Sequence, residues 1–205
     1  DTDWNRPVRI ENPQGHVATL SYDPANGNLL SVTDPMTYQT SFTYNTRGQV
    51  ETMTNAENEV VEFVYYDVNE PNGLGNLHQI VIDPAGLNLV STIEYDGYGN
   101  LKKITDAEGY DTAYVYDIMN LLQFATDAEG NTTEYQYEEA LGTISHWSSA
   151  PLARLKKIID ACSVEAVSFT YDSLHRLECQ TNSMGKTTEY AYDNGLSLSY
   201  SYYDD

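Results

Sequence analysis

The feature that most constrains the fold is a Tyr-Asp step that returns at a near-constant interval. Successive tyrosines of this step are 22, 22, 29, 21, 21, 34 and 21 residues apart. Aspartate follows the tyrosine in six copies, and Asn45 and Glu138 follow it in the other two. Many copies of one short unit predict a linear repeat array, in which each unit packs on its neighbours. The eight tyrosines are Tyr22, Tyr44, Tyr66, Tyr95, Tyr116, Tyr137, Tyr171 and Tyr192.

The residues before each repeat tyrosine predict a β-strand. The position two residues earlier is always large and apolar or aromatic, while the position between is mixed. One apolar face with a period of two is typical of a half-buried strand. The residues at this earlier position are Leu20, Phe42, Val64, Ile93, Tyr114, Tyr135, Phe169 and Tyr190.

A second strand follows each of the first seven copies and starts at a leucine or valine, as at Leu101 and Leu121. Most of these segments end in a Thr-Asp or Thr-Asn turn, often closed by glycine, as in Asp106-Ala107-Glu108-Gly109. Asp or Asn opens such turns through its side chain, and glycine closes them. The chain is therefore predicted to be all-β, a curved antiparallel sheet of about sixteen strands built from tandem hairpins.

Two repeats are longer than the others, with insertions near residues 68–75 and 139–153. In the second, Leu152, Leu155, Ile158 and Ile159 have helical spacing, so a short helix competes with a strand. The repeat register favours a strand from Leu155 to Asp160. Residues 1–205 are otherwise interpreted as a single array of about eight repeats, and as a fragment of a larger protein.

Composition narrows the possible partners. The net charge is −21 with the acidic residues spread over all repeats, which disfavours nucleic acid and anionic membranes. No apolar run approaches the roughly 20 residues of a membrane-spanning helix, and no signal-peptide pattern is present. Cys162 and Cys179 are the only cysteines. They could pair or stay free, which leaves the redox compartment open.

Units such as YDGYGNLKKITDAEGYDTAYVYD, from Tyr95 to Asp117, resemble the YD-repeat or Rhs-repeat family. The resemblance runs from about Val8 to Asp193. Known members include shell-forming components of bacterial toxin complexes, Rhs polymorphic toxins, wall-associated proteins and teneurins. The resemblance implies a segment of a spiralling β-shell that encloses a toxin or other cargo polypeptide, or a cell-surface scaffold. It also implies a secreted or cell-surface location in bacteria. The self-cleaving protease core of shell-forming toxins has no counterpart here.

Several chemical alternatives remain beside the structural one. Acidic pairs such as Asp106 and Glu108 could form a catalytic dyad, but turn capping is the simpler interpretation because nothing in the sequence indicates one carboxylate buried beside another. Turns such as Asp127-Ala128-Glu129-Gly130 only partly match a calcium loop. The four histidines lack metal-site spacing. The tyrosines could pack on one another or stack on sugars, which makes a carbohydrate-binding or adhesion module the alternative function.

The sequence therefore predicts a non-enzymatic chain with no catalytic residue, no metal site and no cofactor. Its partners are expected to be further repeats of the parent chain, and an enclosed polypeptide or a surface glycan. Edge-to-edge association of copies is also expected, because open sheet edges promote it. The central geometric expectation is that the repeat tyrosines all project from one face of the sheet.

Overall fold

The computed structural model describes residues 5–70, 75–140, 152–193 and 197–202, which form strands and turns only. The predicted all-β antiparallel fold is confirmed, and these residues form no helix long and apolar enough to cross a membrane. The strands are β1 (Arg9–Glu11), β2 (Val17–Tyr22), β3 (Leu29–Thr33), β4 (Gln39–Tyr44), β5 (Val50–Thr54), β6 (Val60–Tyr65), β7 (Leu77–Ile82), β8 (Leu89–Tyr95), β9 (Leu101–Thr105), β10 (Asp111–Tyr116), β11 (Leu122–Thr126), β12 (Thr132–Ala140), β13 (Leu152–Ile159), β14 (Glu165–Tyr171), β15 (Leu177–Asn182), β16 (Thr187–Asp193) and β17 (Ser197–Tyr202).

The chain divides into two compact units, Asp1–Tyr110 and Asp111–Asp205. In the first unit, β1 to β9 pair antiparallel in chain order. In the second unit, β10 to β17 do the same. Each repeat contributes a first strand, which carries its tyrosine, and a second strand. Such pairing of sequence neighbours needs only short turns, as the repeat pattern predicted.

A β-bulge recurs in the hairpins that join a first strand to a second strand. In the β4–β5 hairpin Thr43 lies opposite Thr52, whereas Tyr44 lies opposite Val50, so that Glu51 is the extra residue. The same register shift lies immediately before one tyrosine in each of six other first strands. These tyrosines are Tyr22 of β2, Tyr65 of β6, Tyr95 of β8, Tyr116 of β10, Tyr137 of β12 and Tyr171 of β14. A bulge bends a strand and increases its local twist. Because of the extra residue, the tyrosine and the residue two positions before it lie on the same face of the sheet as the residues opposite them.

Side-chain hydrogen bonds build the turns. Asp106 Oδ1 accepts hydrogen bonds from the amides of Glu108 and Tyr110, each at 2.9 Å. The Gly109 amide donates to the Asp106 carbonyl at 3.1 Å, and Gly109 has φ of 89°. The same paired side-chain bonds, to the second and fourth following amides, occur at Asn12, Asp34, Asn45, Asn55, Asp96, Asp117, Asp127, Asp160, Asp172 and Asn182.

In each unit, the two faces of the sheet differ in chemistry. Residues directly opposite each other on neighbouring strands lie on the same face. One face carries aromatic and aliphatic pairs such as Phe42 with Met53. The other face of β2 to β5 carries hydroxyl pairs, including Thr43 and Thr52 with their oxygens 2.7 Å apart. Among the described hydrophobic residues, only Val81 is buried, with 6% of its surface exposed. The core is therefore a thin, half-buried layer of aromatic and aliphatic side chains.

The insertions fall partly outside the described residues, which exclude 71–74 and 141–151. The part of the second insertion that is described settles its ambiguity. Leu152–Ile159 form strand β13, so the strand prediction is confirmed over the helical one. The strand starts three residues before the predicted Leu155. It ends at Ile159 because Asp160 already opens the next turn through its side chain.

Candidate functional site: the tyrosine ladder

The repeat tyrosines form a ladder within each unit. Tyr22, Tyr44 and Tyr95 end β2, β4 and β8, and Tyr116 and Tyr171 end β10 and β14. Tyr137 and Tyr192 lie inside β12 and β16. Following the register from strand to strand places the strand tyrosines of each unit on one face, because directly opposed residues share a face. The tyrosines lie opposite a leucine or valine of the second strand, in the pairs Tyr22–Leu29, Tyr44–Val50, Tyr95–Leu101, Tyr116–Leu122, Tyr137–Leu155 and Tyr171–Leu177. Strand β11 starts at Leu122 rather than at the predicted Leu121.

The hydroxyl groups of several ladder tyrosines join their hairpin to the preceding part of the chain. Tyr44 in the β4–β5 hairpin donates to the Leu29 carbonyl of the β2–β3 hairpin at 2.8 Å. Tyr171 donates to the Leu155 carbonyl and Tyr192 to the Leu177 carbonyl, both at 2.8 Å. Tyr22 makes the corresponding bond to Pro7 at 3.0 Å. A repeat tyrosine therefore packs within its own hairpin and hydrogen-bonds to the preceding one.

In the third hairpin, this structural position belongs to Tyr65 rather than to the predicted Tyr66. Tyr65 ends β6, lies opposite Leu77 and donates to the Val50 carbonyl at 2.8 Å. The Tyr66 amide instead bonds the Asn76 carbonyl, which is the role of Asn45 in the previous repeat. The residue two positions before the ladder tyrosine is then Phe63 rather than Val64. The Tyr-Asp step selected Tyr66 because Asp67 follows it, whereas the strand pairing places the adjacent Tyr65 in the ladder.

Tyr66 takes part in a separate aromatic cluster beside the first insertion. Its ring centroid is 4.1 Å from that of His78 and 6.2 Å from that of Tyr95, the latter in an edge-to-face arrangement. Its hydroxyl donates to the Ile93 carbonyl at 3.2 Å. Edge-to-face rings attract through their quadrupoles. The cluster therefore fixes the start of the inserted loop against β8.

Arginines stack on three ladder rings. Arg6 lies over Tyr22 at 5.6 Å, Arg154 over Tyr171 at 4.7 Å and Arg176 over Tyr192 at 4.2 Å. Each guanidinium is held near a ring face, where the negative quadrupole attracts a cation. Arg154 also forms an ion pair with Glu138 at 2.8 Å. An arginine side chain thus stacks on the tyrosine in three repeats, a feature that the sequence pattern did not predict.

Burial of the ladder changes the acidity of its phenols. Desolvation raises the pKa of Tyr65, Tyr95, Tyr137 and Tyr171 above the ordinary value. Burial disfavours the charged phenolate. A folded-state pKa above the unfolded one stabilises the fold at neutral pH, and this stabilisation is lost as the pH rises through the folded value. The ladder is therefore a half-buried packing layer, in which Tyr65 and Tyr171 act as hydrogen-bond donors.

We expect Tyr44→Phe to lower the free energy of unfolding by about 1 kcal/mol. The ring is retained, but the Leu29 carbonyl loses its donor, and one such bond has a net value of about 0.5–1.5 kcal/mol. Urea unfolding followed by circular dichroism measures the change. Tyr98→Phe is the control, because Tyr98 is 85% exposed in a turn and should change stability by less than about 0.5 kcal/mol. Equal effects of the two variants would contradict a role for the hydroxyl.

The acidic residues that resembled catalytic pairs or calcium loops act in the turns. Asp127 Oδ1 accepts the amides of Glu129 and Asn131, and its Oδ2 accepts the Asn131 side-chain amide at 3.0 Å. Asp106 Oδ1 likewise accepts hydrogen bonds from two backbone amides. Over the described ranges, no three His, Cys, Asp or Glu side chains are grouped so that they could hold a metal ion. The arrangement caps turns and offers no built ligand set.

We expect Asn131→Ala to raise the pKa of Asp127. The Asn131 side-chain bond is the largest cause that lowers this pKa, followed by the Asn131 backbone amide. A depressed carboxyl pKa stabilises the fold above the unfolded value, and this contribution is lost as the pH falls through the folded value. Carboxyl-carbon NMR titration of both proteins measures the shift. A midpoint that does not move on substitution would show that the side-chain bond does not control the carboxylate.

The other candidate residues are dispersed. Cys162 and Cys179 are free thiols, the first exposed and the second half-buried, which resolves the open question about their pairing. His16 contacts Asn12, and His175 contacts Arg154 with the two nitrogens 3.0 Å apart. His146 lies outside the described residues. A cavity of about 350 Å³ in the second unit is lined by Asp117, Gln123, Tyr135, Tyr137 and Glu138, among others.

Comparisons with known proteins agree with this geometry. Residues 24–60 match a family model described as RHS Repeat. No curated protein sequence matches the chain. The chain is similar to a component of the structure entitled Photorhabdus luminescens Tc holotoxin pore, with mutation TccC3-D651A, at a TM-score of 0.64 and 14% identity over 93% of this chain and 10% of that one. It is also similar to the TcdB2-TccC3-Cdc42 crystal structure, at a TM-score of 0.59 and 15% identity over 96% of this chain and 12% of that one. The chain thus spans only about a tenth of the length of these neighbours.

Proposed function

We propose that this chain, a member of the YD-repeat or Rhs-repeat family, is a structural wall segment of a larger β-shell. In this proposal the two units belong to one array, and further repeats of a parent chain continue the sheet. The finished wall encloses a toxin or other cargo polypeptide, and the protein is secreted or presented at the cell surface. The segment performs no catalysis itself.

The observation that carries this proposal is the hydrogen bond from a tyrosine of one hairpin to a carbonyl of the preceding hairpin. It recurs at Tyr22, Tyr44, Tyr65, Tyr171 and Tyr192. Each of these five tyrosines joins its hairpin to the preceding part of the chain by the same contact. A wall of any length can therefore be built from one local rule, as in other linear repeat proteins.

A structural role is also favoured by how the polar groups are used. The carboxylates of Asp106 and Asp127 are occupied by turn amides, and Glu138 is paired with Arg154. A catalytic pair needs two acids in different environments with space for a substrate. In this proposal the aspartates that open the turns serve the fold, and the acidic residues together give the wall a high net charge that favours solubility.

Limited proteolysis combined with electron cryomicroscopy of the full-length gene product that contains this chain tests the proposal. We expect a closed wall in the images, and a non-sheet polypeptide that resists protease until the wall is opened by denaturant. An open sheet with no enclosed volume would contradict encapsulation. Complete digestion of every segment outside the repeats, in an otherwise intact particle, would contradict it as well.

A glycan-binding role is the second candidate, favoured by the cavity near Tyr135 and Tyr137 in the second unit. Aromatic rings beside amide and carboxylate groups are common in small-molecule sites. A glycan array probed with the full chain at physiological salt decides between the two. Binding that disappears in Tyr135→Ala would support this role, and absence of binding to every glycan would remove it.

A further inference from the structure

One short motif in the chain is not explained by the repeat pattern. Asn131-Thr132-Thr133 is the only Asn-x-Ser/Thr triplet in the sequence. This triplet is the acceptor pattern for N-linked glycosylation when the middle residue is not proline, and it functions at exposed positions of secreted proteins. The repeat does not require asparagine at this place, because the other turns that lead into a first strand have Tyr38, Glu59, Tyr110, Val164 or Lys186 there. The asparagine is therefore what distinguishes this copy, since Lys186 is also followed by two threonines.

Asn131 is suitably placed to carry a bulky group. It is exposed, and it follows the turn opened by Asp127, immediately before β12. Its side-chain nitrogen donates to Asp127 Oδ2 at 3.0 Å, and its backbone amide donates to Asp127 Oδ1 at 2.8 Å. An asparagine amide carries two hydrogens. Replacing one of them by a sugar leaves the other for the Asp127 bond, so the turn can keep its hydrogen bonds.

Asn100 provides an internal comparison. It occupies the same place in its own turn, with its side-chain nitrogen 3.0 Å from Asp96 Oδ2. It is half-buried rather than exposed, and Leu101 and Lys102 follow it. The turn geometry alone therefore does not create an acceptor. Exposure and the following threonine occur together at Asn131.

We propose that Asn131 is an acceptor for an N-linked glycan, an inference that rests on the proposed secreted or cell-surface location. The co-substrate is a saccharide attached to a lipid through a diphosphate. A bond forms between the Asn131 side-chain nitrogen and the anomeric carbon of the saccharide. The bond from that carbon to the diphosphate oxygen breaks, the lipid diphosphate leaves with the electron pair, and the nitrogen loses one proton. No oxidation or reduction takes place.

The two threonines of the triplet lie in strand β12. In the folded sheet, Thr133 lies opposite Ala125, and the Thr132 hydroxyl is 2.9 Å from that of Thr126. A glycan on Asn131 projects from the exposed turn that precedes this strand.

Secretion of the full 205-residue chain from cells with an N-glycosylation pathway tests the proposal, with peptide mass spectrometry as the readout. We expect a saccharide mass on the Asn131 peptide of the original chain. The modification should be lost in Asn131→Gln and Thr133→Ala. It should be retained in Thr133→Ser, which keeps the hydroxyl, and in Thr132→Ala, which changes only the middle position.

Unmodified Asn131 in secreted chain would overturn the proposal, provided that a reference glycoprotein from the same cells is modified. Modification that survives Thr133→Ala would overturn it as well, because the triplet would then not be the determinant. Circular dichroism of the glycosylated chain should retain the β-sheet spectrum. Failure of this test leaves the shell proposal standing, because the absence of a glycan says nothing about an enclosed volume. Likewise, an open sheet in the electron micrographs would contradict the shell proposal but would not change the mass of the Asn131 peptide.

Discussion

Tyr171→Ala should destabilise the second unit by about 2–4 kcal/mol, somewhat less than the 3–5 kcal/mol typical of a fully buried aromatic ring, since this ring is only half-buried. The substitution removes the ring opposite Leu177, the surface on which the Arg154 guanidinium stacks, and the donor to the Leu155 carbonyl. Arg154 also loses one of the contacts that hold it beside Glu138. Hydrogen exchange of the β13 to β15 amides, with urea unfolding of the whole chain, measures the loss.

Tyr171→Phe separates the contributions to this loss. The ring and the cation contact remain, whereas the bond to the Leu155 carbonyl is lost, so we expect a cost of about 1 kcal/mol. In a linear array each hairpin is stabilised mainly by its neighbours. Faster exchange should therefore be concentrated in β13 to β15 and be weaker at the distant β10. Uniform acceleration across the second unit, or an Ala variant as stable as the Phe variant, would contradict the ladder.

The strands were predictable because two signals coincide in nearly every repeat. Tyrosine with an apolar residue two positions earlier gives the first strand, and leucine or valine after a short turn gives the second. The turns were predictable because Asp and Asn have local hydrogen-bonding chemistry, as at Asp106. Even in the second insertion, where apolar spacing alone suggested a helix, the register of the array identified the strand at β13.

What could not be predicted depends on contacts between strands. The bulged residue Glu51 looks like any other polar strand residue, and only the pairing of Tyr44 with Val50 reveals it. The choice of Tyr65 over Tyr66 likewise depends on which hydroxyl reaches the Val50 carbonyl. The sequence identified the recurring tyrosine but not its acceptor, which lies 15 residues earlier in another hairpin. Packing explains the recurring spacing within the chain, whereas the hydrogen bond explains why positions such as 44, 65 and 171 have tyrosine rather than phenylalanine.

The turn between β7 and β8 illustrates a different requirement for glycine. Asp83 Oδ2 accepts the Leu87 amide at 2.8 Å, and Asp83 itself has φ of 52°. A Cβ atom on Gly86 would overlap the Asp83 carboxylate. Gly86 is therefore required by space, whereas Gly48 and Gly109 are required by positive φ, with open space around them. A side chain at position 86 must push away the group that holds the turn together.

We expect Gly86→Ala to lower the free energy of unfolding of the first unit by about 1–3 kcal/mol, the range of overpacking substitutions. The Leu87 amide should exchange faster, because its acceptor is displaced. In an Asp83→Gly background the overlap is absent and glycine suits the positive φ, so adding Gly86→Ala should cost markedly less. A double-mutant cycle isolates this coupling. If Gly86→Ala were equally costly in both backgrounds, the loss would arise from the backbone at position 86, and steric contact with Asp83 would not explain the glycine.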